Sequence, residues 1–291
     1  MFTRKLGWSF LLLAALFLGL TALATVTAAA QDRDDDRDHP WECSVRTLHG
    51  RFGWFGQGTV LAVPGVHPAL PLVVSGVVTY DGEGHVSSTY NQSAGGAIAT
   101  GLGAEGTYEV GPDCTYSSQI TLLATGSVVN RVGTITGEGK NQEIHLLYTD
   151  PSPVAFGTLK RTPERCSLET LKGDYALFGN GTIPVQLPGF PPPPVAIATS
   201  GTLTFDGKGG FVGGDTHNLQ NTSGLGGAVG PVTFYGTYTV SSDCEVSAVI
   251  NSSNGLILNE VGSITGDGDF KEIHDIFTNP GWVFTDTLKK Q

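Results

Sequence analysis

Apolar and polar residues alternate with a period of two along most of the chain beyond residue 40. Phe52 and Trp54, Val78 and Tyr80, Tyr108 and Val110, Ile120 and Leu122, and Ile144 and Leu146 are each split by one residue. Strand side chains project to opposite faces in turn, so each pair marks the buried face of a strand. No stretch past the N-terminus carries a convincing 3.6-residue period. Eight strands are predicted in the first half, near 50–61, 71–80, 85–92, 104–110, 114–123, 127–136, 141–149 and 154–161. Asp81-Gly82 is a tight-hairpin dipeptide because glycine tolerates positive φ. Gly111-Pro-Asp113 and Gly137-Glu-Gly139 mark further turns. Short joints make successive strands antiparallel. Eight strands in such a meander can close into an up-and-down barrel with no free edge.

The second half repeats the first. Cys43-Ser-Val-Arg-Thr-Leu-His-Gly50 returns as Cys166-Ser-Leu-Glu-Thr-Leu-Lys-Gly173. Asp81-Gly-Glu-Gly84 returns as Asp206-Gly-Lys-Gly209, Gly106-Thr-Tyr108 as Gly236-Thr-Tyr238, and Asp113-Cys114 as Asp243-Cys244. Glu143-Ile-His145 becomes Glu272-Ile-His274, and Thr158-Leu-Lys-Arg161 becomes Thr287-Leu-Lys-Lys290. The offset is 123 residues at the start and 129 at the end. A period of that length is a domain, not a solenoid unit. The expected fold class is therefore all-β, with two tandem eight-stranded antiparallel barrels over residues 43–162 and 163–291. Tyr175 and Leu177, Leu203 and Phe205, Tyr238 and Val240, and Ala248 and Ile250 repeat the inward face. That face is expected to be almost entirely apolar. Asp275 is the exception, because it replaces Leu146 between Ile273 and Phe277.

Composition supports an all-β chain with many turns: 41 of 291 residues are glycine. Residues 1–30 are expected to be a signal peptide, with Arg4 and Lys5 before an apolar run from Leu6 to Val26 and small residues at Ala28-Ala-Ala30. After its cleavage no stable membrane span is expected. Residues 31–42 form an acidic linker whose interleaved aspartates and arginines suit a solvated segment better than a calcium loop. The net charge of −11 argues against nucleic acid or an anionic membrane as partner.

Four cysteines in an exported chain imply disulfides and allow three pairings. Two per repeat at equivalent places select Cys43–Cys114 and Cys166–Cys244. The absence of C-x-x-C spacing argues against zinc, so no metal is expected. In a meander, Cys43 and Cys114 lie at one end of the barrel. Ser44 can cap a helical turn there, with Leu48, or Leu171 in the second copy, as a plug. The opposite end carries the proline-rich segments 62–71 and 184–195, the expected mouth. Gly/Ala-rich segments 93–103 and 222–231 are expected as further loops at that end.

No nucleophile-elbow, P-loop, dinucleotide or His-Glu-x-x-His pattern is present, and no cofactor is expected. Glu143 with His145, and Glu272 with His274, place a carboxylate beside an imidazole. Ile144 points inward, so both pairs are expected as outward polar patches. His67 and His217 stand as lone histidines without partners. Candidate ligand-facing residues are Trp54, Tyr80, Tyr108, Phe205, Tyr238 and Asp275. A carboxyl facing an apolar lumen has a raised pKa.

The pattern Cys-Ser-x-x-Thr-Leu-x-Gly, Phe-Asp-Gly-x-Gly, Gly-Thr-Tyr-x-Val, Asp-Cys and a closing Thr-x-Lys-Arg resembles a group of secreted tandem-repeat proteins of soil bacteria such as acidobacteria. The resemblance covers both repeats and implies a secreted or periplasmic location without an activity. The eight-strand reading is similar, at the level of fold, to calycins and to allene oxide cyclase and dirigent barrels. Fold does not determine function. Three readings remain open. One is a non-catalytic module binding a small apolar molecule, and one is a structural or adhesive envelope protein. The third is a cyclase- or isomerase-type enzyme. An open lumen above about 300 Å³ favours the first and third, while a filled barrel favours the second.

Overall fold

The computed structural model describes residues 42–61, 69–183, 195–220 and 226–291. The first barrel runs β1 (His49–Val60), β2 (Leu70–Asp81), β3 (His85–Ala94), β4 (Ala97–Val110), β5 (Thr115–Leu122), β6 (Val128–Thr136), β7 (Glu143–Tyr148) and β8 (Val154–Arg161). The second runs β9 (Gly173–Ile183), β10 (Val195–Phe205), β11 (Gly210–Gln220), β12 (Gly226–Val240), β13 (Glu245–Ser252), β14 (Ile257–Thr265), β15 (Glu272–Phe277) and β16 (Val283–Lys290). Each strand pairs antiparallel with its sequence neighbours. β1 closes on β8, and β9 on β16, so both sheets are closed barrels. Among the described residues, no helix is long and apolar enough to cross a membrane.

One expectation about loops is corrected. Residues 93–103 do not form a mouth loop. β3 and β4 extend through them and meet at the tight Gly95-Gly96 turn, with a bulge between Tyr90 and Gln92. Glycine and alanine lower strand propensity, but ladder pairing on both sides overrides it. β12 likewise takes up residues 226–231 of the second segment. Residues 62–68, with His67, and 184–194 lie outside the described residues.

The cysteine end is closed as the repeat implies. Cys43 bonds Cys114 and Cys166 bonds Cys244, with Cα atoms 4.9 and 5.0 Å apart. Short 3₁₀ turns at Val45–Thr47 and Leu168–Leu171 follow the first cysteine of each pair. Leu48 and Leu171 are fully buried beneath them. The Tyr108 hydroxyl lies 2.9 Å from the carbonyl oxygens of Val45 and Leu48, and Tyr238 donates to the Leu168 carbonyl at 2.9 Å. A tyrosine from the barrel wall therefore ties each plug in place. Each bridge encloses 71 or 78 residues of chain and contributes about 4 kcal/mol by restricting the unfolded state. Replacing Cys166 and Cys244 together by alanine should lower unfolding free energy by about that amount. Peptide mapping without reductant should return only the two within-barrel links. A Cys43–Cys166 peptide would contradict this architecture.

The barrels pack side against side. The outer face of β1–β3 meets the outer face of β14–β16. Val73, Ile276 and Val283 are buried there, with Val261 against them. The Ser75 hydroxyl donates to the His274 carbonyl at 2.9 Å, and Gly281 N–H donates to the Gly96 carbonyl at 2.8 Å. Phe55 stacks on the His274 ring at 5.6 Å. Lys160 reaches Glu143 at 3.1 Å and Glu272 at 2.7 Å. Arg51 with Asp243 and Lys140 with Asp267 add ion pairs at one end of the seam. The close approach needs Gly53, where a Cβ would come within 2.4 Å of the Thr265 methyl group.

The seam changes the expectation for the Glu-x-His pairs. Glu143 and His145 point outward, and His145 is exposed. Glu272 and His274 also point away from their own lumen but are covered by the first barrel rather than by solvent. Burial works against the Glu272 charge. Hydrogen bonds from His274, Lys160 and Lys289 overcome this and hold its carboxyl well below the usual range.

Candidate functional site: the lumen of the second barrel

Alternation along four strands brings acidic side chains into one lumen. On β16, Phe284, Asp286 and Leu288 share the inward face; on β15, Ile273, Asp275 and Phe277 do. β14 contributes Glu260 and β11 contributes Asp215 and His217. Asp275 and Asp286 are direct cross-strand partners. One carboxylate oxygen from each of Glu260, Asp275 and Asp286 lies within 4.8 Å of the others. These residues are 9, 3 and 4% exposed, so the charges are withdrawn from water. Asp215 lies 2.8 Å from His217 Nε2, and the Thr199 hydroxyl lies 3.4 Å from Asp286 Oδ1.

The first barrel shows what these positions held in the other copy. Matching the registers pairs Asp215 with Tyr90, Glu260 with Arg131, Asp275 with Leu146 and Asp286 with Gly157. In the first barrel, Arg131 sits 5.6 Å over the Trp54 ring and donates to Ser118 at 3.2 Å. Phe52, Tyr80, Tyr108 and Tyr116 pack edge to face or stacked below, with the Tyr80 and Tyr116 hydroxyls 3.0 Å apart. That lumen is filled by aromatic rings around one cation. The second barrel has four carboxylates at the matching positions and no cation among its described lumen residues.

Glycines make room for two of these carboxylates. Gly179 lies opposite Asp286, and a Cβ there would come within 1.6 Å of Asp286 Oδ1. Gly262 lies opposite Asp275, and its Cβ would meet Asp275 Cβ at 2.6 Å. In the first barrel Gly56, the equivalent of Gly179, and Gly157, the equivalent of Asp286, lie against the Trp54 indole nitrogen, while Gly133, the equivalent of Gly262, lies opposite Leu146. The same cross-strand space holds an indole in one copy and a carboxyl in the other.

Crowding of acids in a dry site raises their pKa values. Burial, then the neighbouring Asp275, Asp286 and Asp215 charges, push Glu260 well above the usual carboxylate range. Burial and Asp286 do the same to Asp275. Burial and Asp215 push Asp286 up to about 7, against the opposing pull of Thr199 and His217. Asp275 Oδ1, Glu260 Oε1 and Asp215 Oδ1 are buried without a hydrogen-bond partner among the described residues.

Asp215, Glu260, Asp275 and Asp286 are among the residues that line a cavity of about 230 Å³ inside the barrel. Phe205, Phe211, Phe234, Phe277, Trp282 and Phe284 supply much of the remaining wall. Trp282 stacks on Phe277 at 5.3 Å. The site is an apolar chamber with one acidic flank. The three clustered carboxylates can accept hydrogen bonds from an ammonium group or ligate a metal ion.

Of the residues singled out from the sequence, Phe205 and Asp275 line this cavity. Trp54, Tyr80 and Tyr108 are buried in the packed first lumen. Tyr238 is buried beside the plug. Sequence reasoning treated the lumen as apolar except for Asp275 and so passed over Asp215, Glu260 and Asp286. It also read His217 as partnerless, whereas Asp215 on the same strand face pairs with it. The available signal was the repeat itself: Arg131 against Glu260 is a charge reversal, and Gly157 against Asp286 adds a carboxyl. No family model matches the chain, and no curated protein matches it.

Proposed function

We propose that the chain is an exported, non-catalytic binding protein. The second barrel holds one small, largely apolar ligand, and the first barrel is its filled scaffold. The observation that carries this reading is the cavity of about 230 Å³ at the level where the first barrel is packed with Trp54, Tyr90 and Arg131. Its volume falls short of the about 300 Å³ taken above as the mark of an open lumen, so size alone does not separate binding from a structural role. The unpartnered acidic flank is what favours a ligand, and that ligand is small. The apolar N-terminal run and the two disulfides support export.

The test is native mass spectrometry of protein purified from its own host, followed by extraction. A retained small molecule should be present in the wild type. It should be absent from Ile250→Trp, which fills the cavity from a position whose cross-strand partners are Leu258 and Gly236. A wild-type barrel that retains nothing, with no saturable uptake of small aromatic probes, would leave a structural envelope role as the better account. Asp286 also favours a second reading, since a carboxyl titrating near neutrality in an apolar chamber suits proton transfer. Recovery of the extracted molecule in altered form after incubation would select that reading.

A further inference from the structure

We infer that the ligand of the second barrel is an organic cation: a small arylalkyl- or alkylamine whose ammonium group sits among Glu260, Asp275 and Asp286. This rests on the binding reading above and adds the chemistry of the ligand's head group.

Three observations converge on it. First, the cluster has a cation's geometry, with three carboxylate oxygens from three strands within 4.8 Å of one another. Second, Asp275 and Glu260 line the cavity, and Asp275 Oδ1 and Glu260 Oε1 are buried with no hydrogen-bond partner among the described residues. A buried acceptor left without a partner is costly, more so when charged. An ammonium offers three donors in the arrangement these oxygens lack. Third, the rest of the chamber is aromatic and aliphatic. A bare metal ion would satisfy the carboxylates and leave that volume unused. A hydrocarbon would fill the volume and leave the carboxylates unsatisfied. An amine on an apolar body does both, and Phe277 and Phe284 lie together beside the acidic pair, one step along β15 and β16. The cavity has room for about eight water-sized groups, which limits the body to roughly one ring and a short arm.

The titratable groups facing the site are Asp215 and His217 from β11, Glu260 from β14, Asp275 from β15 and Asp286 from β16. β9, β12 and β13 face it with mainly apolar residues and Ser252, and β10 adds Thr199. Crowding and burial favour protons on the acids when no cation is present. Amine binding therefore releases protons and strengthens as the pH rises.

The experiment is calorimetric titration of the mature full-length protein with 2-phenylethylamine and with its neutral isostere 2-phenylethanol, at pH 5 and pH 8, with intrinsic tryptophan fluorescence as a second readout. The amine should bind at least about tenfold more tightly than the alcohol at pH 8, and the preference should shrink at pH 5. Asp275→Asn and Glu260→Gln keep side-chain shape; each should bring the amine's affinity at pH 8 down to about that of the alcohol. Equal affinity for the two probes at pH 8 overturns the amine inference and leaves the binding reading standing. No saturable binding of either probe up to millimolar concentration overturns both. Tight binding of calcium or magnesium that excludes the amine also overturns it and makes the cluster a metal site.

Discussion

Without ligand, the protein should lose stability as the pH rises from about 4 to 8, the reverse of the usual acid sensitivity. The folded-state pKa values of Asp275, Asp286 and Glu260 are raised. Between the unfolded and folded pKa values, the native state holds more protons than the unfolded state. Unfolding free energy therefore falls with pH across that window. The contribution is fully present below about pH 4 and lost as the pH passes through the folded values. For Asp286, shifted from 3.8 to about 7, the loss is about 4 kcal/mol. Glu272 works in the other direction. Its pKa is lowered, so its contribution is present above about 4.5 and disappears as the pH falls. The stability maximum should lie near pH 4–5. Urea unfolding followed by intrinsic tryptophan fluorescence would show it. Asp286→Asn should match the wild type at pH 4 and exceed it by about 4 kcal/mol at pH 8. Equal wild-type stability at the two values would mean that the cluster is hydrated or already neutralised.

Trp54→Ala should destabilise the first barrel by about 3–5 kcal/mol. The indole is nearly fully buried and packs on Tyr90 at 5.7 Å and under Arg131 at 5.6 Å. Truncation would leave a void and strip the buried guanidinium of its aromatic partner. The void would sit where the other barrel has its chamber. Chemical denaturation followed by far-UV circular dichroism measures the loss. A change below about 1 kcal/mol would show that the Trp54 face of β1 is not the packed one.

The strands, the closed meander, the bridges and the plugs were legible because each rests on a local or repeated signal. Inward pairs such as Phe52 and Trp54 report a period of two, and Cys43 and Cys166 head equivalent copies. Glu272 and His274 show where such signals stop. Alternation says that a side chain leaves its own lumen, but not whether water or another barrel lies beyond. Residues 93–103 were misplaced because glycine-rich sequence has weak intrinsic strand preference, while pairing on both sides of a closed sheet supplies the missing order. The acidic site was legible at one residue in four. Asp275 stood out against Leu146, while Asp215, Glu260 and Asp286 sit on strands whose inward phase was not followed to the end. Their proximity is a property of closure, which sets β11 within reach of β14–β16 across the lumen.

The contact between the barrels joins unlike faces of like units, and such a head-to-tail contact contains no stop of its own. Applied again, it would set β9–β11 of one chain against β6–β8 of another. Half of that contact is ready. Val132, Leu147 and Phe156 match the covered Val261, Ile276 and Thr285, yet stand 42, 49 and 55% exposed. The other half has been rewritten. Val73 and Val77 have become Ala198 and Thr202. Arg51 and Lys140 have become Asp174 and Asp269, which would meet Asp113 and Glu138 of an incoming chain where the existing pairs are attractive. Like charges at those corners oppose the next step. The rewritten half therefore works against repeating this contact between chains.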